Sequence, residues 1–507
     1  MHRRILTALL TLSVAGCATT KPAETPPAET PPAAQPQTQT PAQDAEAFRD
    51  QPPKPGNPPD LVLPTFEQAK LDNGLTVIVS TRKELPLVFV GIAFAAGVSQ
   101  EPAAKLGVAD LSYRMLLEGA GKRDTVALDN AFADLGVSPA MSVDPDGAFV
   151  GARVLTTNVD AAMSLLSDVV LRPTFDAKAF ERRKKQQLGE LVRRMGDPNF
   201  LAQQAYYQAV FGADHPYGHT SGGTPKTVEA LTLADAKNFY TKNTGPRAAA
   251  LIMTGDVTLQ QAVEWGKKYF GGWKGGAVAP KPPPAPPAPP RQQVRVVPKP
   301  GLEQTVVLVG RPGLAAGHSD EYPLELATTV FGGFFGSRLN MNIREDKGYS
   351  YGANAHLGTR LGVGPLTAYA AVRQDVTGPA LNEFIKELAG IKSNPITEKE
   401  LAAAREGLIR AFPGAFETVE GLGGSAAQLY FHRRPMDEFK RSVEGLRDAS
   451  AAEVQRVAES YLDPANMQVV LVGDPLVIQE QVTPLNLGKL TLVETPASDM
   501  APASKSK

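Results

Sequence analysis

The chain has 507 residues, 42% hydrophobic and 21% charged, enough for two or more well-packed domains and incompatible with wholesale disorder. Its 52 basic and 53 acidic residues leave a formal charge of -1, so no global field recommends nucleic acid or an anionic surface as partner. The single cysteine excludes disulfides and cysteine-based metal clusters within the chain.

At the N-terminus, Arg3 and Arg4 precede an apolar run from Ile5 to Val14 that is too short to span a bilayer stably and has the pattern of a secretory signal. Leu12-Ser13-Val14-Ala15-Gly16-Cys17 resembles the lipobox of bacterial lipoproteins, in which the cysteine becomes the lipidated first residue; an ordinary signal with an incidental cysteine is the alternative. Ala18 and Thr19 bring no aspartate to hold the protein at an inner membrane. The expected address is therefore the outer membrane, facing the periplasm, with residues 1–17 as signal and lipobox. Residues 18–60, rich in Pro, Ala, Gln, Thr and Glu, cannot bury enough surface to offset ordering entropy and read as an extended tether.

Folding is expected from about Leu63. Ala69–Val79 reads as two short strands across an Asn73-Gly74 turn, Leu87–Phe94 as the next strand, and Gly107–Gly119 as an amphipathic helix whose Val108, Leu111, Met115 and Leu116 recur at three- and four-residue steps. Asp110, Tyr113 and Arg114 stand on that helix at i, i+3 and i+4, the spacing at which helical side chains meet, which places them on one polar side.

Gly107, Ala109, Met115, Leu116 and Gly119 form a frame that resembles the zinc-binding helix of the pitrilysin/insulinase-like metallopeptidases, the inverzincins, which carry H-x-x-E-H within it. Here Asp110 stands at the first His position, Tyr113 at the Glu and Arg114 at the second His. A zinc site of that kind needs neutral imidazoles and a carboxylate to take a proton from bound water; an arginine has no lone pair to give and stays protonated. The third ligand implied by the resemblance, a Glu 76 residues beyond the second His, falls on Glu190. The resemblance thus marks Asp110, Tyr113, Arg114 and Glu190 as a degenerate zinc site with no metal and no catalytic residue of its own. Arg114 is expected to pair with Glu190 across the helices and with Asp110 one turn back; a solvated Asp110–Arg114 pair, worth about 0.3–0.5 kcal/mol, is the alternative. A hard cation on Asp110 and Glu190 is disfavoured by the charge of Arg114 between them.

Further along, helices are expected over Val126–Leu135, Ala161–Leu171, Phe180–Arg194, Leu201–Val210, Leu233–Tyr240 and Ala262–Phe270, with strands near Ser138–Val143, Ala148–Leu155 and Ala248–Thr254. His215 and His219 stand at i, i+4, but Pro216 and Gly218 oppose a helix there, and His-Pro-Tyr-Gly matches a loop of the same family outside its catalytic site. Residues 278–292 are Pro-rich and read as a semi-rigid linker between domains over 63–277 and 293–490, ahead of a flexible 491–507 tail. The strand closed by Gly255-Asp256 returns as one closed by Gly473-Asp474. Each follows a helix that ends near a tyrosine, Tyr240 or Tyr461. Two homologous α+β domains, each a mixed sheet packed with helices, are expected.

In the second unit, Ser337-Arg338-Leu339, then Arg344-Glu345 and Tyr351, is similar to the family's C-terminal-domain motif. There the Arg and Tyr hold the substrate backbone and polarise the scissile carbonyl from the side opposite zinc, a role open to a guanidinium and a phenol because both are donors; Arg344 paired with Glu345 or Asp346 on a solvated helix, with Tyr351 packed on a strand, is the alternative. Some bacterial members divide labour between two similar subunits, one with the intact zinc motif and one with the intact Arg/Tyr pair. The resemblance, over residues 63–490, implies the second kind: a lipoprotein subunit that binds peptide through Arg344 and Tyr351 and works in a heterodimer or larger assembly with a homologous peptidase subunit, the only holder of zinc. A pseudoenzyme scaffold or peptide-binding lipoprotein without an active partner is the alternative.

Overall fold

The computed structural model describes residues 61–287 and 292–493; Cys17, the signal, the tether, part of the Pro-rich linker and most of the tail lie outside the described residues. Asn73-Gly74, with Gly74 at φ 93°, folds β1 (Glu67–Lys70) back antiparallel on β2 (Thr76–Thr81). With β3 (Leu87–Phe94) the chain enters the sheet centre, and β4 (Gly119–Ala120) and β5 (Arg123–Asp124) form a separate two-stranded ribbon. β6 (Ala140–Val143), β7 (Ala148–Leu155) and β8 (Ala249–Gly255) complete a six-stranded sheet in the order β1-β2-β8-β3-β7-β6.

The second half rebuilds it. β9 (Gln293–Pro298), β10 (Gln304–Ala315), β11 (Ser350–Leu357), β12 (Val363–Arg373), β13 (Gln468–Gly473) and β14 (Lys489–Leu492) form a sheet ordered β11-β12-β10-β13-β9-β14. The β13–β9 pair is parallel, as β2–β8 is, so β9, β13, β10, β12 and β11 occupy the places of β2, β8, β3, β7 and β6. The strands closed by the two Gly-Asp pairs, β8 and β13, are each second from the start of this shared order. The expected repeat of α+β domains is the fold observed.

Each sheet packs one face on helices of its own domain and the other on a helix lent by its neighbour. Val77 and Val79 point into the first domain's core while Ile78 points the other way, as the period of two requires. Ile78, Ala93, Ala250 and Ile252 are covered by Leu422, Ala426, Ala427 and Phe431 of the Val419–Phe431 helix. Reciprocally, the Pro198–Phe211 helix lays Leu201, Ala205 and Val210 on Val306, Leu308, Val470 and Val472 of the second sheet. Burial on both faces explains why β8 and β13 read as nearly unbroken apolar runs.

Close approach at this exchange depends on a missing side chain. Tyr206 donates from its hydroxyl to Leu366 O (2.6 Å) and accepts from Thr367 Oγ1 (3.0 Å), and a Cβ on Gly310 would lie 2.2 Å from that hydroxyl. Gly310→Ala is therefore expected to cost about 1–3 kcal/mol by overpacking, read as a lower urea midpoint with little change in slope.

The His-Pro-Tyr-Gly loop is a third tie between the halves. His215 Nδ1 accepts from Tyr217 N (3.0 Å), which leaves Nε2–H to donate to Pro284 O of the linker (2.9 Å). The Tyr217 hydroxyl donates to Asp146 and accepts from Gly362 N (3.0 Å), while the buried Arg360 guanidinium lies over the rings of Tyr207, Phe211 and Tyr217.

Candidate functional site

The motif helix, Val108–Arg114, starts from Gly107 in the left-handed region at φ 93°, where a Cβ would meet Gly222 O at 2.6 Å. Its first amides are satisfied from outside: Glu101 accepts from Gly107 N (3.0 Å) and Ala109 N (2.7 Å). The Ala177–Met195 helix, which carries Glu190, is tied alongside by Gln187 Nε2, donating to Gly107 O (3.1 Å) and Gly222 O (2.8 Å).

The structure corrects two expectations here. Tyr113 does not share the polar side with Asp110 and Arg114. It is fully buried, stacked on Phe94 with ring centroids 5.2 Å apart, and its hydroxyl donates to Ala96 O at 2.8 Å. A phenol is apolar enough to enter the core once its one hydroxyl is satisfied, and burial holds its pKa well above the ordinary tyrosine value.

Secondly, Arg114 makes no direct bridge to Glu190. Arg114 Nε donates to Asp110 Oδ2 at 2.8 Å, and the Glu190 carboxylate, 55% exposed, turns to Arg193 at 3.8 Å. The Arg114 pKa is raised chiefly by its hydrogen bond to Asp110, with a smaller pull from Glu190 through space. Two long, half-exposed side chains gain little by being held together across helices, whereas the i, i+4 pair forms on one helix at small entropic cost.

These residues do not fit zinc. Asp110 is engaged by a guanidinium, Tyr113 faces the core, and Glu190 turns to Arg193; among the described residues no three His, Cys, Asp or Glu side chains converge as a metal-binding group.

The second constellation is assembled. After the short Arg338–Asn340 helix the backbone widens to a π turn over Met341–Asp346, then reverses at Gly348 (φ 60°) so that β11 returns beside it. That reversal brings residues seven apart together. The Arg344 guanidinium lies 4.8 Å from the Phe335 ring and 4.9 Å from the Tyr351 ring, and its Nε pairs with Glu345 at 3.1 Å. Tyr351 is 87% exposed, over a groove of about 520 Å³ whose walls include Gln304, Phe335, Asn354 and Tyr369.

Arg338, named above only as part of the motif, anchors this segment. With a side chain only 10% exposed it grips Glu400 in a fork (2.6 and 2.9 Å) and donates to Asn394 O (2.8 Å) and Pro395 O (3.0 Å). Glu400 is also the capping-box partner of Thr397 at the start of the Glu398–Ala415 helix. The hydrogen bonds from Arg338 hold its carboxyl down from the ordinary 4.5 to about 2. A Glu three residues after a Thr signalled the cap in sequence; nothing local signalled a partner 62 residues away.

Comparison with known proteins places the family and the fold. Residues 76–211 match the insulinase (peptidase family M16) model and residues 230–408 the peptidase M16 inactive-domain model. An uncharacterized zinc protease of Mycobacterium leprae is 26% identical over 401 residues, covering 78% of this chain and 88% of that protein. Among solved structures, a peptidase M16 inactive domain from Pseudomonas fluorescens matches with TM-score 0.75 at 24% identity, over 81% of this chain and 98% of that one. A protease from Helicobacter pylori matches equally, TM-score 0.75 at 21% identity, over 81% and 100%. With both models in chain order and the fold shared, this chain belongs to the insulinase family of M16 peptidases.

Proposed function

We propose that this chain is the non-hydrolytic, substrate-holding subunit of a cell-envelope M16 peptidase. In this reading it presents Arg344 and Tyr351 to peptide bound at a zinc-bearing homologous partner, binds no zinc itself, and is tethered through lipid on Cys17 to the outer membrane, facing the periplasm. The observation that carries it is the contrast between the two constellations. At the motif helix a permanent cation, paired to Asp110, stands where an electron-pair donor is needed. In the second domain Arg344 and Tyr351 are stacked together with donor groups at an open groove. A guanidinium and a phenol there suit peptide carbonyls and developing negative charge.

The test is reconstitution. The isolated chain is expected to cleave no quenched fluorescent peptide, and a homologue with intact H-x-x-E-H from the same cell, mixed with it, is expected to gain activity. A partner that is equally active with and without this chain counts against the reading.

A further inference from the structure

The groove under Arg344 and Tyr351 continues beyond that pair. Its wall of Asn354 and Tyr369 is shared with a second hollow of about 510 Å³ between the domains, bounded by Asn199, Phe200, Gln203 and Tyr207 on one side and His356 on the other. The Tyr369 hydroxyl donates across it to Asn199 Oδ1 at 2.9 Å. The edge of β11 itself is closed to an added strand. Asn340 Oδ1 accepts from Ala353 N (3.1 Å), and Gly332 lies so near that a Cβ there would sit 2.6 Å from Ala355 N. An extended polypeptide at Arg344 is thereby steered over the outer face of the sheet and into the hollow. Along β11, Tyr351 to His356 spans about 17 Å at roughly 3.3 Å per residue, the reach of about five extended peptide residues.

The hollow's chemistry selects what enters. Tyr207 and Tyr369 offer partly exposed rings, and Gln203 and Asn354 offer amides that match a peptide backbone, while Asn199 is held by Tyr369 and Asp197. Its charged residues are already engaged: Asp197 accepts from Asn199 N (2.9 Å), and Arg194 lies over the Phe200 ring at 4.2 Å and donates to Ser221 O (3.3 Å). Resting on the reading of Arg344 and Tyr351 as a substrate clamp, we propose that this interdomain hollow is a peptide subsite for an uncharged aromatic side chain, about five residues along from the clamped position.

The probe is a fluorescein-labelled Ala/Ser peptide in which one phenylalanine is moved a position at a time, with binding to the full-length chain read by anisotropy. One register is expected to bind about tenfold tighter than the phenylalanine-free parent, a difference of about 1.4 kcal/mol. Gln203→Trp, on an exposed helix position, is expected to fill the hollow and erase that preference, while Gln203→Ala keeps it. Arg344→Ala weakens every peptide. A flat phenylalanine scan with Arg344-dependent binding overturns the subsite and leaves the clamp standing. A register preference that Gln203→Trp erases and Arg344→Ala does not touch overturns the clamp and the proposed continuity with it. Absence of peptide binding throughout, to this chain alone and to its mixture with the zinc-bearing homologue, overturns both.

Discussion

Arg344→Ala is expected to lower turnover of the reconstituted complex about a hundredfold, a loss of about 2.7 kcal/mol of transition-state stabilisation, typical of removing one preorganised donor. The side chain is held ready by the rings of Phe335 and Tyr351 and by Glu345, so little ordering remains for the moment of reaction. Tyr351→Phe isolates the hydroxyl, since it keeps the ring over the guanidinium and removes only the donor. A smaller fall, about tenfold, is expected in kcat with KM nearly unchanged, whereas a change confined to KM would assign Tyr351 to binding alone. Unchanged turnover in both variants would remove the clamp from the account.

The second large effect is on stability. Arg338→Ala is expected to destabilise the second domain by about 3 kcal/mol, because it leaves the Glu400 carboxylate, 30% exposed, without the fork that compensates its partial burial. Linkage gives this prediction a pH signature. Glu400's folded pKa is depressed from 4.5 to about 2, so its contribution is fully present above pH 4.5 and is lost as pH falls through about 2. Urea unfolding at pH 7 should therefore show the full gap between the natural protein and Arg338→Ala, and the gap should close towards pH 2. The Arg338→Met/Glu400→Met double variant should recover part of the loss, since neither charge is then stranded. A gap that stays constant with pH would mean that the arginine acts through packing alone.

Much of the fold was legible because it is written in short-range periodicity. Leu87–Phe94 and Ala148–Leu155 are the observed β3 and β7, and the repeated Gly-Asp closures mark β8 and β13, which hold equivalent places in the two sheets. The helix exchange was not legible. The Leu201–Val210 pattern says that a helix buries apolar surface and is silent on whose sheet receives it. The same limit governs the site. The spacing of Asp110 and Arg114 gave their pair, whereas Arg344 and Tyr351 were marked only by a resemblance, and their stacking depends on the reversal at Gly348. Tyr113 was misplaced because a residue with an apolar body and one polar atom satisfies either face. Arg338 and Glu400 meet only through tertiary packing, as do Tyr217 and Asp146.

Zinc content decides the central claim most directly. The full-length chain, equilibrated with excess zinc and desalted, should carry well under one metal per molecule by elemental analysis, because Arg114 is committed to Asp110 and only Glu190 remains at the family's ligand positions. One zinc per molecule, lost in Glu190→Gln, would contradict it.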